Sequence, residues 1–198
     1  MPVAPERTPL AGRRAARATA LVVIDMFSAW DFPDADALGR AAIRAAGCIA
    51  ALKRRCDRAG VPTVFVNDNR GRWRSDAPGI VAESAVASRT GAAIAERLRP
   101  GEQDYFVLKP KHSAFFATPL DLLLRHLRVR RLIVSGVAAD QCVLLAAIEA
   151  RMQDYDVVVP ADCVGAQTAA RNASALRHLE SAHKVRVAAS RGLRLVAK

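Results

Sequence analysis

Aromatic residues make up only 5% of this 198-residue chain, and lysine occurs five times. So few rings leave little for stacking on nucleic-acid bases. No apolar run approaches the 18 or so residues of a membrane-spanning helix. No Cys-x-x-Cys pair occurs, and Cys48, Cys56, Cys142 and Cys163 show no zinc-type spacing with histidine. Nor do the four look like the disulfide framework of a small secreted domain. Acidic residues are also in deficit: 19 Asp and Glu stand against 30 Lys and Arg, a net charge of +11. The arginines are scattered. Their densest clusters, Arg13-Arg14-Arg17, Arg54-Arg55-Arg58, Arg70-Arg72-Arg74 and Arg128-Arg130-Arg131, include no block of five or six like charges. A solvated Arg-rich surface is the plainer reading. A basic binding protein using Arg70, Arg72 and Arg74 beside Arg128, Arg130 and Arg131 is the rival one.

What is present is enough to fold. About half the chain is hydrophobic and a quarter charged, the balance of a compact domain with its own core. Residues 1–18 are rich in Arg and Ala, interrupted by Pro2, Pro5 and Pro9, and lack an apolar signal region. They are expected to form a flexible lead-in to one domain over residues 19–198. A cytoplasmic location with reduced thiols is the corresponding expectation.

Short β-branched runs alternate with helical patterns. The runs are Ala20 to Ile24, Val61 to Val66, Tyr105 to Leu108, Arg131 to Ser135, Asp156 to Val159 and Val185 to Ala188. Continuous apolar runs suit strands covered on both faces, as in parallel sheets. Helices are predicted over Asp36 to Ala59, Ala92 to Leu98, the segment after Thr118-Pro119, Ala139 to Gln153, and Thr168 to His183. The pattern predicts a three-layer α/β/α domain around a six-stranded, mostly parallel, Rossmann-like sheet. Asn67 to Arg89, with Gly71, Pro78 and Gly79, reads as a long irregular loop and a candidate lid.

Ligands of open parallel sheets bind beyond the carboxyl ends of the strands. Asp25 follows the first strand and Asn67-Asp68-Asn69 the second. Lys109 follows the third, with Lys111 as its competitor. Gly136 to Cys142 follows the fourth, and Asp162 and Cys163 follow the fifth. Cys142 falls in the first turn of a predicted helix, where unpaired amides and the helix dipole favour a thiolate. The stretch before it can turn N–H groups towards a developing oxyanion. A buried structural thiol is the bland alternative. Trp30, Trp73 and Phe115 are candidate pocket walls.

These residues resemble the isochorismatase-like cysteine hydrolase superfamily. The matching segments are Leu21 to Met26, Val107-Leu108-Lys109 with Ser113-Ala114-Phe115, Ser135 to Val143, and Tyr155 to Cys163, in the family order. The resemblance implies a catalytic triad of Asp25, Lys109 and Cys142, and its spacing selects Lys109 over Lys111. It implies a cis peptide between Val137 and Ala138, an oxyanion hole from the Ala138 and Cys142 amides, and assembly as a homodimer or homotetramer. There are departures. Metal-binding nicotinamidases of the family carry Asp-x-His after the second strand, where this chain has Asn67-Asp68-Asn69. His112, His126, His178 and His183 are placed elsewhere, so neither a metal nor another cofactor is expected. Ala139 stands where Thr is common.

The leading expectation is metal-independent hydrolysis of a small amide-like C–N bond through a Cys142 thioester. An isochorismatase-type enol ether hydrolase, using Asp25 for acid–base chemistry, is the alternative. The expected partner is a small-molecule substrate, an anionic one being drawn towards the basic loop; neither nucleic acid nor membrane is expected.

Overall fold

The computed structural model describes residues 18–197. All but the last residue of the expected lead-in therefore lies outside the described residues. Strand β1 (Thr19–Ile24) leads into helix α1 (Ala35–Arg58), then β2 (Thr63–Asp68), α2 (Ala77–Ala87), α3 (Arg89–Leu98) and β3 (Tyr105–Lys109). Helix α4 (Leu120–His126), β4 (Arg131–Val137), α5 (Cys142–Met152) and β5 (Asp156–Pro160) follow. The two-residue β6 (Val164–Gly165), α6 (Ala169–Ser181) and β7 (Arg186–Ala188) complete the order.

The strands form one parallel sheet in the order β3-β2-β1-β4-β5-β7, with β6 pairing β4 beyond the end of β5. The six expected strands are all present. The seventh, β6, is too short to carry a hydrophobic period. Alternation along each strand divides the core in two. Val22 and Ile24 of β1 join a cluster with Leu120 and Leu124 of α4, Val143 of α5 and Leu179 of α6. Leu21 and Val23 join the opposite cluster, with Leu38 and Ile49 of α1 and Ile94 of α3. These two clusters make the three layers.

The expected irregular stretch from Asn67 to Arg89 is corrected: its second half is helix α2. Asp76 caps that helix, its side chain accepting from Gly79 N–H at 2.7 Å, and proline occupies the first turn. Pro78 and Gly79 suggest a loop, yet in a first turn proline's missing N–H costs nothing. Ser88 then caps α3 by accepting from Gly91 N–H at 3.0 Å. Helix α5 also starts later than expected, at Cys142 rather than Ala139.

The centre of the sheet depends on a close approach between β4 and β1. Gly136 has φ +110°, and a Cβ built there would lie 2.1 Å from the Ile24 carbonyl oxygen. Alanine would face both the wrong φ and a backbone clash. Gly136→Ala is predicted to destabilise the fold by about 2 kcal/mol or more. Gly192→Ala, with no heavy atom within 4 Å of the added Cβ, is the neutral control. Urea unfolding midpoints compare the two.

Candidate active site

The chain runs outward from β1 to β2 and β3, then crosses back to β4 and builds outward on the other side. The strand order therefore reverses between β1 and β4, and a crevice opens there at the carboxyl ends. Asp25 leaves β1 with φ +50°. Its backbone N–H donates to Val66 O at 2.9 Å, which holds it against β2. Lys109 is the last residue of β3. Cys142 is the first residue of α5, brought in by the turn after β4.

Lys109 is wholly buried, and its Nζ lies 2.8 Å from Asp25 Oδ2. The same nitrogen lies 3.6 Å from Cys142 Sγ and donates to the Lys111 carbonyl at 3.0 Å. Asp68 Oδ2 stands 3.6 Å away. Asp25 Oδ1 accepts from Asp68 N–H at 2.8 Å. Lys109 is thus the lysine of the site, while exposed Lys111 contributes only its carbonyl.

Burial pushes the Asp25 carboxyl up, against the opposing pull of Lys109 and of its hydrogen bonds. For Lys109, burial works against the charged form, but Asp25, Cys142 and Asp68 outweigh it and hold the ammonium. The Cys142 thiol is pushed up by burial and by Asp25, with Lys109 opposing. The arrangement is a buried lysine–carboxylate pair beside a thiol that burial holds against ionisation. Asp25 is within hydrogen-bonding reach of that thiol and is the better base for being buried.

A cavity of about 440 Å³ opens over this cluster, walled in part by Trp30, Phe27, Arg70, Ala138 and Gln141. The peptide bond between Val137 and Ala138 is cis. Trp30 is in the wall. Trp73 is exposed outside the cavity, and Phe115 packs on Tyr155 with ring centroids 6.4 Å apart. Among the described residues neither Trp73 nor Phe115 lines the cavity. Asp162 is also turned away: its oxygens accept from Ser190 N–H at 2.8 Å and Ser190 Oγ at 2.6 Å. Cys163 is buried in the core cluster on the α1 side.

Two residues enter the site without having been assigned a role in it. His112, expected elsewhere, lies at the mouth with Nδ1 3.7 Å from Cys142 Sγ. Its side chain is brought in by the turn after β3, which no periodicity marks. Asn67 is buried; its Oδ1 accepts from Phe27 N–H at 2.9 Å and its Nδ2 donates to Phe27 O at 2.8 Å. Both ends of its amide are therefore committed to the backbone after Asp25.

Those bonds also bear on the metal element of nicotinamidases. Asn67 is occupied by Phe27, Asn69 Oδ1 by Gly71 N–H at 2.9 Å, and Asp68 by Lys109 and Arg70 N–H. Among the described residues no group of three or more His, Cys, Asp or Glu is arranged to hold a metal ion. The residues at that place do not fit a metal.

The two arginine clusters proposed as one binding surface lie at opposite ends of the sheet. Arg70, Arg72 and Arg74 follow the carboxyl end of β2, whereas Arg128, Arg130 and Arg131 surround the start of β4, a parallel strand. Six residues of strand separate them by about 20 Å. Arg70 and Arg72 are paired with Asp31 and Glu83.

Asn67→Ala is predicted to leave the Phe27 N–H and carbonyl without their partners and to cost about 1–3 kcal/mol of stability. Denaturant unfolding of the variant measures that loss, and an unchanged midpoint would contradict it.

The Isochorismatase domain family profile matches residues 19–190. The uncharacterised isochorismatase family protein YaaI of Bacillus subtilis is 33% identical over 162 residues, 82% of this chain and 88% of that protein. Maleamate amidohydrolase of Pseudomonas putida is 29% identical over 160 residues, 75% of this chain and 73% of that enzyme. Among solved structures, an isochorismatase family protein of Desulfovibrio vulgaris superposes with a TM-score of 0.71 at 28% identity, covering 88% of this chain and 95% of that one. With the match spanning the whole sheet and the Asp25–Lys109–Cys142 crevice, the chain belongs to the isochorismatase family and is one of its hydrolases.

Proposed function

We propose that this hydrolase cleaves a small amide-like C–N bond through a Cys142 thioester, without a metal ion. The observation that carries the reading is the Lys109 ammonium, 2.8 Å from Asp25 and 3.6 Å from the Cys142 sulfur. The similarity to maleamate amidohydrolase supports amide chemistry. The commitments of Asn67 and Asn69 speak for a metal-free route.

In the first half-reaction Asp25 takes the thiol proton. The sulfur electron pair attacks the substrate carbonyl carbon, and the carbonyl π pair moves to oxygen. The Ala138 and Cys142 amides are the proposed donors to that oxyanion. Lys109 keeps the net charge of the cluster small while the thiolate forms. Collapse breaks the C–N bond, and the proton on Asp25 goes to the leaving nitrogen. Water then hydrolyses the thioester. Arg70, at the cavity wall, is placed to meet an anionic substituent of the substrate. Assembly into a homodimer or homotetramer belongs to the same proposal.

A panel of small amides and ureas, read by ammonia release, identifies the substrate. Cys142→Ala is expected to lower turnover at least 10³-fold while keeping the fold. Undiminished turnover would overturn the covalent route. Asp25 must be ionised to accept the proton, and its carboxyl is held up by burial. Activity is therefore expected to fall as pH drops, through an inflection above the ordinary carboxylate range of about 4. A kcat/KM profile whose acid limb lies at or below that range would contradict this.

A further inference from the structure

Cys142 has two polar sides. On the inner side stand Lys109 and Asp25, both engaged: Asp25 with Lys109 and Asp68 N–H, Lys109 also with the Lys111 carbonyl. On the outer side stands the His112 imidazole, exposed at the cavity mouth, with Nδ1 3.7 Å from the sulfur. Neither the triad nor the first half-reaction uses it.

Asp25 is a carboxylate again once the leaving nitrogen has taken its proton, but it stands on the inner side of the sulfur, whereas water entering from the mouth meets His112 first. The thioester carbonyl carbon is bonded directly to Sγ, so water approaching that carbon from the cavity mouth passes within hydrogen-bonding reach of an imidazole 3.7 Å from the sulfur. The sulfur must also regain a proton when it leaves. An imidazole serves both needs, since it can accept a proton at one moment and return it at the next.

We infer that His112 is the proton-transfer residue of thioester hydrolysis, a catalytic group beyond the Asp25–Lys109–Cys142 cluster. An O–H bond of the water breaks, and its proton passes to the neutral imidazole nitrogen. The water oxygen bonds to the thioester carbon, and the carbonyl π pair moves to oxygen. As the tetrahedral species collapses, the C–S bond breaks and its pair returns to sulfur. The imidazolium proton goes to that sulfur across the 3.7 Å contact, restoring thiol and neutral His112. Labour is thus divided: Asp25 handles the proton of acylation from within, and His112 that of deacylation from the solvent side.

The inference rests on the thioester reading, and its test separates the two. p-Nitrophenyl acetate, a chromogenic ester that acylates reactive thiols, is the probe. In His112→Gln and His112→Ala the burst of nitrophenolate is expected to keep its wild-type rate, while steady-state turnover falls 10-fold or more. Acid-quenched mass spectrometry should then find acetyl on Cys142 in the variants. Added imidazole should restore turnover of His112→Ala and leave Asp25→Asn unrepaired. Unchanged turnover in both His112 variants would overturn the inference, as would a burst slowed as much as turnover with no acetyl-enzyme. If Cys142→Ala still turned over the amide substrate, the thioester reading itself would fail. If Cys142→Ala were inactive and the His112 variants normal, only the role of His112 would fall.

Discussion

The ion pair between Asp25 and Lys109 is the constraint around which the carboxyl end of the sheet is arranged. A wholly buried ammonium is costly unless it is paired and hydrogen-bonded. Lys109 meets that condition by drawing in Asp25 from β1, Asp68 from β2 and the carbonyl of Lys111 from the turn beyond its own strand. These contacts span three adjacent strands of the sheet, so a side chain of β3 reaches the crevice beside β1 and β4. The Cys142 sulfur completes the shell. The charge that stabilises the thiolate in the proposed mechanism is therefore the same charge that ties the strand ends together. On that proposal, function and local stability are coupled at one nitrogen.

Backbone geometry supplies what that charge cannot. Gly136 lets β4 lie against the Ile24 carbonyl, so the turn that follows delivers the cis Val137–Ala138 peptide and the start of α5 to the same crevice. Asn67 pins the chain leaving Asp25 through both ends of its side-chain amide. Asp25 itself sits at φ +50°, held by Val66 O through its backbone and by Asp68 N–H through its side chain. Asp25, Lys109 and Cys142 are each fixed by a strand end or helix start rather than by a free loop, which keeps the first turn of α5 aimed at the ion pair.

The sheet was legible because buried parallel strands leave continuous apolar runs, and each of the six runs became a strand. Asp25, Lys109 and Cys142 were legible because strand ends in such sheets point to one edge; choosing Lys109 over Lys111 took the family resemblance. Helix α2 was hidden by Pro78 and Gly79, whose meaning depends on whether Asp76 caps. His112 was hidden because its approach to Cys142 is set by the turn after β3, where no period constrains direction. Asp162 misled for the same reason: it follows β5 like its counterparts, but the short helical turn there delivers it to Ser190 instead. Trp73 and Phe115 show that an aromatic near a strand end in sequence is not thereby near it in space.

The net charge of +11 acquires a different meaning once its neighbours are known. Arg125, Arg131 and Arg171 meet Asp121, Asp156 and Asp140 in partly exposed pairs. They describe a solvated surface. Arg70 differs in position, not in type. Asp68 Oδ1 accepts its backbone N–H at 2.6 Å, and the residue adopts φ +55°, at the cavity wall. Asp31 now holds its guanidinium at 2.5 Å, in an exposed pair that salt screens readily. A carboxylate on an incoming substrate would compete with Asp31 for that guanidinium without requiring any change in the buried cluster below. The mouth and the buried cluster are nevertheless joined through one carboxylate, because Asp68 holds the Arg70 N–H with one oxygen and faces Lys109 with the other.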